Sequence, residues 1–204
     1  MSGQAYYIEP VERALRHFVE DFRNIAASTS GQPRLDALRR PFEELLHDPS
    51  WLSAEFLKAV PDEVATWAVY RSHEPDLCIF SMVVPPGART QVHNHLTDGW
   101  VACIQGQQTE LKFLREDDAS TSGTARLVKV AEERIENGAI TPIQHPGNDI
   151  HQITTTSSEP SVSMHVLCND LGSVLRQAFD PEAGTVRDFV SGYTNVDGTS
   201  AIGR

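Results

Sequence analysis

The chain has 204 residues, 40% of them hydrophobic, with 28 acidic against 17 basic side chains and a net charge of −11. That length accommodates one domain with a sizeable core; no apolar run reaches the roughly 18 residues of a membrane span, and the negative charge argues against nucleic acid and anionic membranes as partners. The opening Met1-Ser2-Gly3-Gln4-Ala5 lacks the basic-then-apolar pattern of a signal peptide, and Cys78, Cys103 and Cys168, odd in number and far apart, fit thiols of a reducing cytoplasm better than a disulfide framework.

Residues 8–27 predict an amphipathic helix, because Val11, Leu15, Phe18, Phe22 and Ile25 recur at spacings of three and four. Thr29-Ser30-Gly31-Gln32-Pro33 breaks it. A second helical stretch has Leu35, Leu38, Phe42, Leu45 and Leu46 as its apolar face, and Pro41 within it predicts two short helices or a kinked one. A third short helix is expected around residues 53–59, ending before Pro61. His17 and His47 lie in these helices without a partner motif and read as structural or solvated.

From Val64 the texture changes. Runs such as Leu77–Val84, Trp100–Ile104, Glu110–Leu114, Arg126–Val130, Gln152–Thr156 and Ser161–Leu167 are rich in strand formers and separated by Gly, Pro, Asn and Asp. Many short strands punctuated in this way predict a sandwich or barrel. Glu116 to Thr124 is polar and reads as a hairpin tip. Asn169-Asp170 is expected to cap a short helix carrying Leu171, Val174 and Leu175. The tail from Asp180 is turn-rich, with a frayed end.

The chemistry concentrates at His93 and His95. Preceded by the turn Pro85-Pro86-Gly87 and followed by the turn at Gly106, they fall on a strand, where residues at i and i+2 share a face. Two convergent imidazoles are half of a metal site. The candidates for a third ligand are His145, His151 and His165. His151 is favoured, since it opens a strand that can run antiparallel to the first pair; His145 precedes Pro146 and remains open as a ligand in a tight turn. Ser163, His165 and Leu167 share one strand face, so His165 is either a core histidine satisfied by Ser163 or a hydrogen-bonded group behind the metal.

Gly87, the His93-x-His95 pair and Gly106 resemble the first cupin motif, and Pro146-Gly147 with His151 resembles the second. Most cupins carry a glutamate shortly after the histidine pair; here Leu96-Thr97-Asp98-Gly99-Trp100 holds only Asp98. Three histidines without that glutamate, behind a helical preface, look like the thiol dioxygenases, the cysteine dioxygenases and bacterial 3-mercaptopropionate dioxygenases. Ser161–Val166 is similar to that family's Ser-x-His-x-Tyr strand, and the resemblance covers about residues 65–180.

The resemblance implies a mainly β fold, a cupin double-stranded β-helix spanning residues 63–180, with a helical segment, 1–62, packed on it and a C-terminal extension, 181–204, in a single domain. It implies Fe(II) held by His93, His95 and His151, with Ser163 and His165 as the catalytic pair. The family's tyrosine falls at Leu167, a departure for which Tyr70 or another tyrosine is the substitute at the substrate. Arg176, in a run similar to that of the mercaptopropionate enzymes, is the candidate carboxylate clamp; Arg71 is a second, at a different spacing from the histidine pair. The implied reaction adds O2 to the sulfur of a small carboxylated thiol, 3-mercaptopropionate-like, to give a sulfinate. The substrate thiolate would bring the negative charge that a ligating glutamate brings elsewhere. A cytoplasmic homo-oligomer is compatible with this. The alternatives are cysteine or mercaptosuccinate as substrate, the latter with Arg71 and Arg176 as its two cations, a different metal-dependent cupin enzyme, or a small-ligand-binding cupin.

Overall fold

A computed structural model of the chain describes residues 12–47 and 49–196. Two helices come first, α1 (Arg13–Ser28) and α2 (Gly31–His47). Their apolar stripes, Leu15, Phe18, Val19 and Phe22 in α1 and Leu35, Leu38, Phe42 and Leu45 in α2, are buried. Phe18 and Phe42 meet edge to face at 6.5 Å. The expected first helix began at residue 8; residues 8–11 lie outside the described residues. Pro41 does not divide α2, so of the two expected forms the pair of short helices is not found. An interior proline costs about 3 kcal/mol. Burying Leu38, Phe42 and Leu45 around it contributes roughly 1.5–3 kcal/mol each, which outweighs that cost. The third expected helix is replaced by two 3-10 turns, Pro49–Trp51 and Ala54–Leu57. The indole of Trp51 donates to the Leu45 carbonyl at 2.8 Å and ties the first turn to α2.

Eleven strands follow: β1 (Ala65–His73), β2 (Asp76–Val84), β3 (Val92–Asn94), β4 (Gly99–Gln105), β5 (Gln107–Arg115), β6 (Leu127–Glu136), β7 (Ile140–Ile143), β8 (Ile150–Thr155), β9 (Ser161–Leu167), β10 (Arg176–Asp180) and β11 (Thr185–Phe189). They form two antiparallel sheets, ordered β1-β2-β9-β4-β7 and β11-β10-β3-β8-β5-β6. Apart from the hairpins β1–β2, β5–β6 and β10–β11, each strand passes to the opposite sheet. This winding is the double-stranded β-helix of cupins.

The first sheet is covered on both faces. Ile79, Trp100, Met164 and Val166 pack with α1 and α2 on its outer face, and the Trp100 indole donates to the Leu35 carbonyl at 2.8 Å. Phe80, Met82 and Leu167 face inward. Every residue of β9 is therefore buried, the pattern of a strand without a wet face. Three strands were not expected from the sequence: β7, β10 and β11. The tail expected as turns instead supplies β11, paired to β10 through Arg176↔Phe189 and Asp180↔Thr185. The short helix expected at 171–175 is absent. Asp170 does not cap it; its carboxylate instead takes Arg71 and Tyr193.

Gly106 makes the turn between β4 and β5 with φ +72, and a Cβ there would lie 2.8 Å from Ser157 Oγ, 3.0 Å from Ser161 Cα and 3.1 Å from the Pro160 carbonyl. Gly106→Ala combines left-handed strain with overpacking, and it is expected to destabilise the protein by about 2–4 kcal/mol in urea titrations. A variant with the parent midpoint would show that this turn relaxes freely.

Candidate metal centre

Register brings the histidines together. His93 in β3 lies directly opposite His151 in β8, and opposite residues of an antiparallel pair share a face. His95 follows on the same face two residues on. The three ring centroids lie 4.7–5.0 Å apart, and one ring nitrogen from each falls within 4.8 Å of the others. In each ring Nδ1 is already engaged: His93 with the Gln91 carbonyl (2.9 Å), His95 with the Asp149 carbonyl (3.0 Å) and His151 with Glu110 Oε1 (2.6 Å). Nδ1–H is the donor in each, which leaves the Nε2 lone pairs to converge.

The residues fit a metal ion. His151 Nε2 is buried and has no hydrogen-bond partner. Burial first, then the neighbouring ring of His151 and Arg176, holds His93 and His95 well below the ordinary histidine value, so both are neutral and able to ligate. His145 stands outside this cluster. Its Nδ1 lies 2.8 Å from Asp149 Oδ2, and its backbone N–H donates to Asp98 Oδ1 at 2.9 Å. The alternative third ligand and the lone carboxylate after the histidine pair are thus both used to shape the turn before β8.

A carboxylate does attend the site, one hydrogen bond behind it. Glu110 and His151 are 3% and 4% exposed. Burial pushes the Glu110 carboxyl up, but the hydrogen bond from His151 and the nearby Lys112 ammonium outweigh it and keep the group below its ordinary value. Lys112 Nζ sits 3.6 Å from Glu110 Oε2 and 2.9 Å from Glu133 Oε2. Sequence reasoning missed Glu110. The available signal was its spacing of two from Lys112 on a strand, which puts two charges on one face.

A cavity of about 370 Å³ opens over the histidines. His165 lines it, with Nε2 2.9 Å from Ser163 Oγ and its ring stacked on Phe80 at 4.4 Å. Burial, then His151 and Arg176, pushes this imidazole down to about 3, so it is neutral. Its Nδ1 has no hydrogen-bond partner among the described residues. Arg176 also lines the cavity, 4% exposed. Its guanidinium donates to the Asn94 carbonyl (2.8 Å) and Ser191 Oγ (3.0 Å) and lies over Phe189 at 4.6 Å. Burial lowers it to about 10, so it stays cationic, while its Nε has no partner.

The other two expected substrate contacts are placed elsewhere. A bulge between Ala68 and Tyr70 sends both Val69 and Tyr70 to the helix side of β1. Tyr70 is fully buried there, its hydroxyl accepting from Arg23 at 3.3 Å, and it does not line the cavity. Arg71 faces inward but is consumed by Asp170, to which its Nε donates at 3.0 Å, and by Ser173 Oγ at 2.8 Å. It too is absent from the cavity wall.

Leu167 is fully buried beside Tyr193 in the inner cluster. Among the described residues, Tyr193 is the tyrosine that reaches the cavity wall. Its hydroxyl donates to Asp170 Oδ1 at 2.8 Å and accepts from the Gly172 N–H at 3.0 Å. A Cβ on Gly172 would overlap the Tyr193 ring, so glycine permits this approach. Tyr193, Phe189 and Ser191 all come from beyond residue 180, a stretch in which Val186-Arg187-Asp188-Phe189 shows no apolar alternation to mark a strand.

No family model matches the chain. Among solved structures, an uncharacterized conserved protein with a double-stranded β-helix domain from Klebsiella pneumoniae matches 66% of this chain and 90% of its own, at 15% identity and a TM-score of 0.41. A cupin superfamily protein from Desulfitobacterium hafniense matches 57% of this chain and 87% of its own, at 14% identity and a TM-score of 0.41. An oxalate oxidase in complex with the substrate analogue glycolate matches 54% of this chain and 53% of its own, at 11% identity and a TM-score of 0.42.

Proposed function

We propose that the chain is an Fe(II)-dependent thiol dioxygenase that adds both atoms of O2 to the sulfur of a small carboxylated thiol of the 3-mercaptopropionate kind, giving a sulfinate and releasing the thiol proton. The reading is carried by one juxtaposition: a three-imidazole cluster without a ligating carboxylate shares its cavity with a buried, unpaired arginine. Iron at the three histidines would supply the O2 activation and would lower the pKa of a coordinated thiol.

The protein's own groups do the rest. Arg176 meets a carboxylate with a planar fork of donors, and a buried cation without an anion gains most from such a partner. Holding the carboxylate fixes where the sulfur sits, the positioning contribution to rate. His165 stays neutral at that wall, and the hydrogen bond between its Nε2 and Ser163 Oγ fixes the orientation of the ring. Phe80, Phe189 and Tyr193 exclude water from the reacting end.

The test is oxygen uptake by iron-loaded protein. With 3-mercaptopropionate, one O2 is expected per thiol, with sulfinate as product. Cysteamine, which lacks a carboxylate, is expected to be a poor substrate. Arg176→Ala is expected to raise KM for the carboxylated thiol at least tenfold, since a charged hydrogen bond contributes about 1.5–3 kcal/mol. Thiol-independent iron protein, or cysteamine turning over as well as 3-mercaptopropionate, sinks the reading.

A further inference from the structure

Acidic side chains outnumber basic ones 28 to 17 in the chain. Among the described residues no acidic side chain lines the cavity over the histidines, whereas Arg89, Arg176 and Arg187 all do. Arg39, Arg40, Arg71, Arg115, Arg126 and Arg134 each have a carboxylate within ion-pair distance. Among the described residues, the three cavity arginines have none. A wall of one sign, in a protein of the opposite net charge, focuses anions into the cleft.

Register places two of these arginines together. Arg176 lies opposite Phe189, and Ala178 opposite Arg187. Arg187 is therefore the diagonal neighbour of Arg176 on the inward face, at a distance of roughly 7–8 Å along the backbone. Arg176 is buried, while Arg187 and Arg89 are exposed at the mouth. The Arg187 guanidinium is not left to wander: it donates to Gln91 Oε1 at 2.6 Å. Gln91 is the residue whose carbonyl holds His93 Nδ1 at 2.9 Å. One residue thus ties the outer cation to the metal-facing histidine. The cavity, about 370 Å³, is at the small end of the roughly 300–1,000 Å³ range of ligand pockets, so both cations lie within reach of one short molecule.

We propose that the site takes a small substrate with two anionic groups, a thiol-bearing dicarboxylate, with one carboxylate on Arg176 and the second at the mouth on Arg187, assisted by Arg89. The thiol in this description rests on the dioxygenase reading above; the two anionic positions do not. The second cation is Arg187, because Arg71, the partner the sequence suggested, is spent on Asp170.

Succinate and propionate differ by one carboxylate and carry no thiol, so their binding to the protein as purified, read by calorimetry, isolates the second position. Succinate is expected to bind at least tenfold tighter at low salt, with the advantage shrinking as salt is added. The advantage is expected to fall away in Arg187→Ala and further in Arg187→Ala/Arg89→Ala. Both residues are exposed, and unchanged thermal melts confirm that the variants fold. Equal binding of the two acids, or a succinate advantage that survives the double variant, overturns the proposal. In the second arm, iron-loaded protein is given 2-mercaptosuccinate or 3-mercaptopropionate, which differ by the same carboxylate. A lower KM for the dicarboxylate supports the proposal. A succinate preference without thiol-dependent oxygen uptake keeps the two-anion site and removes the dioxygenase reading; oxygen uptake with equal KM for the two thiols does the reverse.

Discussion

Glu110→Gln is expected to weaken metal binding by about 10- to 100-fold while leaving the fold intact, the range found when the group behind a metal-bound histidine is lost. Glutamine keeps an oxygen to accept the His151 Nδ1–H, so geometry is conserved and only the charge is removed. The charge matters because the ligand set itself has none: among the described residues no carboxylate joins the three histidines. Glu110, 2.6 Å from His151 Nδ1 and buried, is the negative group nearest the cluster, and it makes His151 the stronger electron donor. The loss corresponds to roughly 1.4–2.7 kcal/mol of binding free energy. Without metal the effect is smaller. Glu110 Oε2 faces Lys112 Nζ at 3.6 Å, an attraction that glutamine gives up, so the metal-free variant is expected to melt at or slightly below the parent temperature. Zinc competition against a chelator, with melts of both forms, measures the two halves. Unchanged zinc affinity would mean that His151 ligates without help from Glu110.

How much of this was legible in the sequence depends on how local the signal was. The His93–His95 pair and the shared face of Ser163 and His165 follow from strand parity over three residues, and the structure has both arrangements. The pairing of His151 with His93 needed only the guess that its strand runs antiparallel. Glu110 needed more, because nothing near it in sequence says that β5 lies beside β8; that neighbour comes from register across forty-one residues. Tyr70 fails for another reason. It was named as a substitute tyrosine with no strand face assigned to it, and one bulged residue in β1 turns it to the helix side. Arg71 was in place and unavailable, since the availability of a buried cation depends on partners such as Asp170, ninety-nine residues away. The residues beyond 180 were read as turns because Asp180, Pro181 and Gly184 dominate the local composition. The five residues that follow form a strand only because β10 offers an unpaired edge.

Cutting the Arg71–Asp170 pair is expected to unfold the protein more readily rather than to change its substrate affinity. Both side chains are under 10% exposed, and the carboxylate also takes Tyr193 and Ser173. Arg71→Ala leaves that carboxylate buried and short of its cation, which costs about 3–5 kcal/mol and lowers the melting temperature by roughly 6–20 °C at this chain length. The pair also sets a pH dependence. Burial alone pushes Asp170 up, but the hydrogen bonds from Arg71, Tyr193 and Ser173 outweigh it and hold the group below its ordinary value. A depressed carboxyl contributes stability that is fully present above its unfolded pKa of about 3.9 and is lost as pH falls through the folded value. The parent is therefore expected to lose stability below about pH 4, and Asp170→Asn to lose less over that interval. Arg71→Met with Asp170→Leu removes both charges and fills the space; buried pairs replaced in this way are often neutral or stabilising, so the double variant is expected to recover most of the loss. An Arg71→Ala protein that melts like the parent but shows a raised KM would return Arg71 to the substrate. The network around it gives the reason to expect otherwise: Asp170 anchors the Tyr193 hydroxyl, Tyr193 packs on Phe80 at 5.9 Å, and Phe80 stacks on His165. Arg71 thus reaches the site through packing, and the wall it supports holds the Phe80 ring against His165.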